Sequence, residues 1–293
     1  MSTTMYTFAR KNLPKNTVEL TVKVPWEDIK KEYDSSFEII RKDLKVEGFR
    51  KGKAPKNIAE SKIQKDVVYE HLLRSYIPRV YSEILKKEDV RPIISPKVEL
   101  TKAKENEEWE IKMTTATTPD IKLNNYKEKV KKAKENVKKS DIWVPGKDKE
   151  PTEEDKEKQR QAEFQAALEA LLSEATVEIS DLVIEEEANQ RLSKLVDDVQ
   201  RVGLTMESYL KSKNLTKEQI MDQIKKEIED TYKMEFLLQK IADEEKINVE
   251  QAELDTIFAG IKDEKEKQAV QGNMYYYASL MRKQKTLDYI NSL

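Results

Sequence analysis

The chain is organised around the stretch Gly48-Phe49-Arg50-Lys51-Gly52-Lys53-Ala54-Pro55. Two glycines and a proline this close together do not fit the interior of a helix, because glycine is entropically costly there and proline lacks an amide donor. Since helical patterns flank the stretch on both sides, it is predicted to be a shaped loop. The loop places Arg50, Lys51 and Lys53 beside the aromatic Phe49, which suits contact with a phosphate backbone or with a protein. An ordinary solvated basic turn is the alternative interpretation.

The same stretch resembles the ribosome-docking signature of trigger factor, a family of bacterial chaperones that act at the polypeptide exit tunnel. The signature is Gly-Phe-Arg-x-Gly-Lys-x-Pro between two helices, and its six fixed positions are Gly48, Phe49, Arg50, Gly52, Lys53 and Pro55. The resemblance implies that this loop, Lys51 included, docks on the large ribosomal subunit. Arg50 and Lys53 would pair with ribosomal RNA phosphates or with acidic side chains of a ribosomal protein, and Phe49 would be an apolar anchor.

The composition limits the classes of protein to which the chain can belong. Charged residues make up 38% of the 293 residues and the mean hydropathy is −0.80, which favours an extended, surface-rich helical shape. The 54 basic and 56 acidic residues leave a net charge of −2, so any contact with RNA must be local. Residues 1–10 lack a signal-peptide core, and no segment approaches the ~20 apolar residues of a membrane span. A cytoplasmic protein without membrane contact is therefore expected.

Few residues are available for catalysis or for metal binding. The chain has no cysteine, and His71 is its only histidine, so thiol nucleophiles, disulfides and the common zinc ligands are excluded. His71 lies within a helical pattern and is interpreted as a surface or packing residue, with a general base as the formal alternative. No Gly-rich phosphate loop or Walker-type lysine is present, so ATP-driven cycling is not supported. No catalytic residue, metal or cofactor is predicted.

The first 126 residues are predicted to form an α+β domain. Residues 17–24 alternate between apolar and polar side chains, which is typical of a strand with one wet face. Helical spacing then runs from Trp26 to Leu44 and resumes after Pro55, with Pro78 marking a kink or break. A second β region follows between Ile93 and Thr114. Helices flanked by antiparallel strands give an α+β class, and the resemblance makes this domain the ribosome-binding one.

Residues 127–160 are predicted to be a charged linker. Lysine-rich and glutamate-rich sequence dominates, interrupted only by the apolar break Trp143-Val144-Pro145-Gly146. A solvated and partly helical linker is the favoured interpretation, and a second RNA contact is the alternative. Most trigger factors carry an FKBP-like prolyl isomerase domain at this place. Because this linker replaces it, the protein is expected not to be an isomerase.

Residues 161–293 are predicted to be all-α and extended, and they resemble the substrate-holding domain of trigger factor. The residues that carry this resemblance are Leu182, Val183, Glu187, Arg191, Gly203, Leu204, Tyr209, Leu210, Ile241, Ala242, Glu245, Ile247 and Val249. Helix starts are predicted from the caps Thr152 with Asp155, Thr205, and Thr216 with Gln219, and one helix is predicted to end near Gly203.

One cluster in this region is a candidate for binding substrate: Met274, Tyr275, Tyr276, Tyr277 and Met281. Three consecutive tyrosines span about 200° of a helix, so they cannot all share one buried stripe. Exposed tyrosine and methionine give the adaptable apolar contact that suits many unfolded sequences. Core packing with one incidentally exposed ring is the alternative.

These observations predict an ATP-independent chaperone that docks at the ribosomal exit tunnel and holds nascent polypeptides. Its expected partners are the large ribosomal subunit, through protein and ribosomal RNA, and nascent or unfolded chains, and a weak homodimer of the free protein is left open. Two other functions also remain open. One is a ribosome-independent holdase or assembly factor, and the other is a residual peptidyl-prolyl isomerase.

Overall fold

The structure, a computed structural model, describes residues 6–140, 152–260 and 273–293. The chain divides into two compact units, one ending at Thr118 and the other beginning at Pro119. The first unit contains a sheet and helices, whereas the second is almost entirely helical. The predicted class, an α+β domain followed by a helical domain, is therefore confirmed. None of the described helices is both long enough and apolar enough to cross a membrane.

A four-stranded antiparallel sheet forms the base of the first unit. Its strands are β1 (Thr7–Leu13), β2 (Thr17–Val24), β3 (Lys97–Lys102) and β4 (Trp109–Ala116), in the order β1-β2-β4-β3. Strand β2 behaves as its alternation predicts, since Val18, Leu20, Val22 and Val24 are all buried. Strand β1 follows no alternation and lies at an edge of the sheet, mostly exposed.

Three helices complete the first unit: α1 (Trp26–Asp43), α2 (Lys56–Lys62) and α3 (Lys65–Lys87). Helices α1 and α3 bury Ile29, Leu72 and Tyr76 against the apolar face of β2 and β4. The sequence predicts a kink or a break at Pro78. Helix α3 runs through this exposed residue without a break. Tyr76, Val80 and Tyr81 on either side of it are buried, and their packing favours a continuous helix although proline removes one backbone hydrogen bond.

The second unit begins with the short strand β5 (Ile121–Lys122), which pairs with β6 (Thr176–Val177). Its helices are α4 (Tyr126–Ser140), α5 (Glu153–Glu174), α6 (Asp181–Arg201), α7 (Met206–Lys213), α8 (Lys217–Glu244), α9 (Gln251–Gly260) and α10 (Met274–Ser292). The predicted stop near Gly203 is where α6 ends, and Gly203 has a φ of +79°.

Helices α4 and α5 form an antiparallel pair in the segment for which a charged linker is predicted. Val130 of α4 and Leu171 of α5 are fully buried. Lysines of α4 pair with glutamates of α5, with Nζ to carboxylate distances of 3.1 Å for Lys129 and Glu174 and 3.5 Å for Lys138 and Glu163. The described part of residues 127–160 is therefore folded helix, whereas Trp143, Val144, Pro145 and Gly146 lie outside the described residues.

The predicted helix caps are present in the structure. The hydroxyl of Thr152 accepts from the amide of Asp155, that of Thr205 from the amide of Ser208, and that of Thr216 from the amide of Gln219. At Thr152 and Thr216 the reciprocal bond also forms, which completes a capping box. These caps satisfy amide groups that a helix leaves unpaired in its first turn, so they fix where each helix begins.

Replacing Thr216 by alanine should lower the stability of the second unit by about 1 kcal/mol, because α8 loses its capping box. In a chain segment of this size the melting temperature should fall by about 2–4 °C. Thermal unfolding followed by circular dichroism measures this. The matched control is Thr231→Ala in the same helix, where the hydroxyl only donates to the carbonyl of Glu227. The control should change stability by less than about 0.5 kcal/mol, and an equal effect of both variants would contradict the capping role.

A polar network joins α4 to the end of α8. Buried Tyr126 donates its hydroxyl to Oε1 of Glu245 at 2.9 Å, and Nζ of Lys127 lies 2.7 Å from the same oxygen. Lys127 in the first place, with the hydroxyl of Tyr126, holds the pKa of Glu245 below its ordinary value. Because the pKa is lower in the folded state, this carboxylate stabilises the fold above its unfolded pKa, and the contribution disappears as the pH falls through its folded pKa.

Glu245→Gln should therefore destabilise the second unit at pH 7 but have little effect in acid. The difference in free energy of unfolding between variant and native chain should shrink as the pH falls below the ordinary pKa of a glutamate, about 4.3, and vanish once the pH is below the lowered pKa of the folded state. Urea unfolding at a series of pH values measures this difference. Glu135→Gln is the control, since Glu135 is exposed on α4 and forms no ion pair with any described residue. A difference for Glu245→Gln that does not depend on pH would contradict the assignment.

Candidate functional site

The predicted loop lies between α1 and α2 and is held by backbone hydrogen bonds. The amide of Phe49 donates to the carbonyl of Val46 at 3.1 Å, and the amide of Lys53 donates to the carbonyl of Arg50 at 2.9 Å. A third bond runs from the amide of Gly52 back to the carbonyl of Leu44 at 3.0 Å. The loop is therefore folded back onto the end of α1.

Both glycines of the loop have backbone conformations that other residues adopt rarely. Gly48 has a φ of +84° and Gly52 a φ of +73°. At Gly52 the space is closed as well, since a Cβ atom would lie 2.4 Å from the carbonyl oxygen of Lys42. Around Gly48 the space is open. Gly52 thus allows the loop to approach α1, and Pro55 follows as the N-cap of α2.

The side chains of the loop divide into two groups. Nζ of Lys51 pairs with Asp43 of α1 at 2.6 Å, and this hydrogen bond lowers the pKa of Asp43. Arg50 and Lys53 are exposed and form no ion pair with any described residue. Phe49 is 42% exposed although it is a large apolar side chain. The loop therefore presents two unpaired cations and one apolar ring, while Lys51 is partly engaged with its own domain.

Two residues of α1 near the loop could not be singled out from the sequence. Asp43, the partner of Lys51, is an unremarkable carboxylate in the last turn of α1, and no sequence signal distinguishes it. Ile39 lies one turn earlier on the same face and is 50% exposed. Its neighbour Ile40 fits the buried stripe, so helical periodicity gives no reason to single out Ile39.

The predicted tyrosine cluster, at the start of α10, divides between two faces. Met274, Tyr277 and Met281 pack around Leu254 of α9. Tyr275 and Tyr276 point outward and are 95% and 61% exposed. Leu280, one turn after Tyr276 on the same face, is also exposed. The geometry agrees with the expectation that three consecutive tyrosines cannot share one buried stripe, whereas a role of these residues in binding remains a prediction.

The described residues contain no group of three or more His, Cys, Asp or Glu side chains that could hold a metal ion. His71 lies on α3 with its Nδ1 buried and without a hydrogen-bond partner in the described structure. This placement fits a packing residue, the interpretation favoured from the sequence.

The two units define a class of protein in which an α+β domain with an exposed basic loop precedes a helical domain. A family model described as "Bacterial trigger factor protein (TF)" matches residues 6–144. A second, described as "Bacterial trigger factor protein (TF) C-terminus", matches residues 148–290. The chain therefore belongs to the trigger factor family. Residues 145–147 alone separate the two matches, so no separate isomerase domain lies between them.

Individual relatives agree with this assignment. Trigger factors of Streptococcus pneumoniae strains Hungary19A-6 and CGSP14 are each 29% identical over 174 residues, which is 59% of this chain. The matched part is 38% of the length of each relative. A solved structure from work on "Promiscuous Substrate Recognition in Folding and Assembly Activities of the Trigger Factor Chaperone" has the same fold. Its TM-score is 0.64 at 17% identity, and the match covers 97% of this chain and 99% of that one.

Proposed function

We propose that the protein is an ATP-independent chaperone that docks on the large ribosomal subunit and holds nascent polypeptides. The observation that supports docking best is the geometry of the loop from Gly48 to Pro55. Its backbone is fixed on α1, yet Phe49, Arg50 and Lys53 are directed to solvent without partners among the described residues. A preorganised loop with two unpaired cations suits phosphates or carboxylates, and the ring adds an apolar anchor. Ribosomal RNA and a protein of the large subunit, both in the cytoplasm, are the proposed partners.

The helical unit supplies the proposed holding surface. Tyr275, Tyr276 and Leu280 are exposed on α10, and Val202 and Leu204 are exposed at the turn between α6 and α7. Burial of unfolded apolar segments on such surfaces is favourable without nucleotide. When the bound protein folds, it buries these segments in its own core and is released. The solved structure of the same fold concerns the folding and assembly activities of its own chaperone, in agreement with this proposal.

The proposal includes the absence of prolyl isomerase activity. The matches to the two trigger factor models nearly adjoin each other, which leaves no room between them for a catalytic domain. Refolding of a protein limited by proline isomerisation should therefore proceed at the uncatalysed rate when the chain is added. Acceleration above that background would contradict this part of the proposal.

Cosedimentation with ribosomes at two salt concentrations tests the docking part directly. The native chain should pellet with ribosomes at low salt and less so at high salt, because the contact is made by cations on an anionic surface. A parallel assay measures how well the chain prevents aggregation of a chemically unfolded protein. Holding without ribosome binding would favour the ribosome-independent holdase, and a chain that does neither would contradict the whole proposal.

A further inference from the structure

One ion pair sets Lys51 apart from the other cations of the loop. Its Nζ lies 2.6 Å from Oδ1 of Asp43, the last residue of α1. Arg50 and Lys53 are also exposed, but they pair with no carboxylate among the described residues. One of the three cations is therefore engaged within its own domain before any partner arrives.

The backbone of the loop brings Lys51 and Asp43 together. The amide of Gly52 donates to the carbonyl of Leu44 at 3.0 Å, and Gly52 also approaches the carbonyl of Lys42 closely. Lys51 is the residue before Gly52, and Asp43 lies between the two α1 residues that Gly52 approaches. The contact that closes the loop therefore places Lys51 beside Asp43, so the pair is built into the fold.

The stability of the fold does not explain why Asp43 stands at this position. Its side chain is 79% exposed and that of Lys51 is 54% exposed, and water and salt screen an ion pair of this kind. The helix dipole favours cations in the last turn of a helix and disfavours carboxylates. Arg41 and Lys42 follow this preference in α1, whereas Asp43 does not. The clearest effect of the carboxylate is therefore on the charge that the loop presents.

The pair withholds one positive charge from an anionic partner. A lysine that contacts a phosphate releases counterions, and each such contact makes binding more dependent on salt. To make that contact, Lys51 would have to leave Asp43. The carboxylate would then stand unpaired beside the phosphates, where like charges repel each other. Because Lys51 gains little from this exchange, it stays with Asp43.

We infer that Asp43 is a positioning residue that holds Lys51 back from the ribosome and thereby limits the affinity of docking. Arg50 and Lys53 make the anionic contacts, and Lys51 joins them only when the charge of Asp43 is removed. Fewer charged contacts allow faster dissociation, so the pair keeps docking reversible. The inference rests on the proposed function, because it assigns a control of affinity to the same loop.

Asp43→Asn tests the inference. The variant removes the charge of the side chain but keeps its shape, so Lys51 is freed while the loop stays folded. The affinity for ribosomes should rise about three- to tenfold at low salt, and its logarithmic dependence on salt should steepen by about 0.7–0.9, the value of one added phosphate contact. Cosedimentation across a series of salt concentrations measures both effects, and thermal unfolding should show no loss of stability. Unchanged or weaker binding, or an unchanged dependence on salt, would overturn the inference.

Two further variants distinguish the release of Lys51 from a simple loss of negative charge. Glu47→Gln removes an exposed carboxylate just before the loop that forms no ion pair with any described residue, so it frees no lysine. Its salt dependence should equal that of the native chain. The double variant Asp43→Asn/Lys51→Gln has no lysine to release, so it should return to native affinity and native salt dependence.

Either variant can contradict the inference. A salt dependence in Glu47→Gln as steep as that of Asp43→Asn would mean that local charge alone decides binding. A gain in affinity that persists in the double variant would mean that Lys51 is not its source. A native chain that pellets with ribosomes at no salt concentration would instead refute the proposed function, and the inference with it.

Discussion

Alanine at Phe49, Arg50 and Lys53 together should lower the affinity of the chain for ribosomes by at least about a hundredfold at physiological salt. The triple variant removes the exposed ring and both unpaired cations of the loop, while the backbone bonds that shape it remain. Two fewer phosphate or carboxylate contacts should also flatten the dependence of binding on salt. Cosedimentation across a range of salt concentrations measures both effects, and protection of an unfolded protein from aggregation should stay at the native level.

Strand β3 offers a matched control for this variant. Lys97, Val98 and Lys102 are all exposed, so their replacement by alanine also removes two cations and one apolar side chain from the first unit. This control should pellet with ribosomes as the native chain does. Equal losses in both triple variants would mean that overall charge decides binding, and unchanged binding of the loop variant would show that the loop is not the docking site.

Gly52→Ala should be the most damaging single change in the loop. The residue would have to adopt a φ of +73° with its Cβ only 2.4 Å from the carbonyl oxygen of Lys42. Since that oxygen belongs to the backbone of α1, relief requires movement of the loop or of the helix end. If the loop stays in place, the free energy of unfolding should fall by about 2–4 kcal/mol. If the loop moves, the affinity for ribosomes should fall at least about tenfold. Thermal unfolding and cosedimentation distinguish the two.

Gly48→Ala separates backbone strain from this close approach. Gly48 also has a positive φ, but nothing lies within 4 Å of the position of an added Cβ. The free energy of unfolding of this variant should fall by only about 1 kcal/mol, and the variant should retain most of its affinity for ribosomes. If the two glycine variants behaved alike, the contact with Lys42 would have no role in shaping the loop.

The features that could be predicted from the sequence are those that depend on local chemistry. The alternation of β2, the caps at Thr152, Thr205 and Thr216, and the end of α6 just before Gly203 all follow from single-residue preferences over a few positions. The resemblance of six loop positions to one signature indicated the family. Each of these signals is complete within a short stretch of chain.

Features that depend on distant partners could not be predicted. Strand β1 has no alternation because it lies at an exposed edge, and it is defined only by its pairing with β2. The α4–α5 pair depends on lysines and glutamates about 25 to 45 residues apart, and the same charges suggest a solvated linker when each window is considered alone. The pairing of Lys51 with Asp43 likewise requires the fold of the loop.

The order of strands in the first unit has a consequence for how the protein is made. Val24 of β2 pairs with Trp109 of β4, and Thr17 pairs with Ala116, so the two central strands are separated by most of the domain. During synthesis β2 can pair only with β1 until β4 has left the exit tunnel. Its other edge, which pairs with β4 in the finished domain, stays unpaired until then. Such long-range pairing is slow and leaves intermediates prone to aggregation. Each new copy of this protein therefore passes through a partly folded, aggregation-prone state. This is the kind of state in which, on our proposal, finished copies hold other proteins.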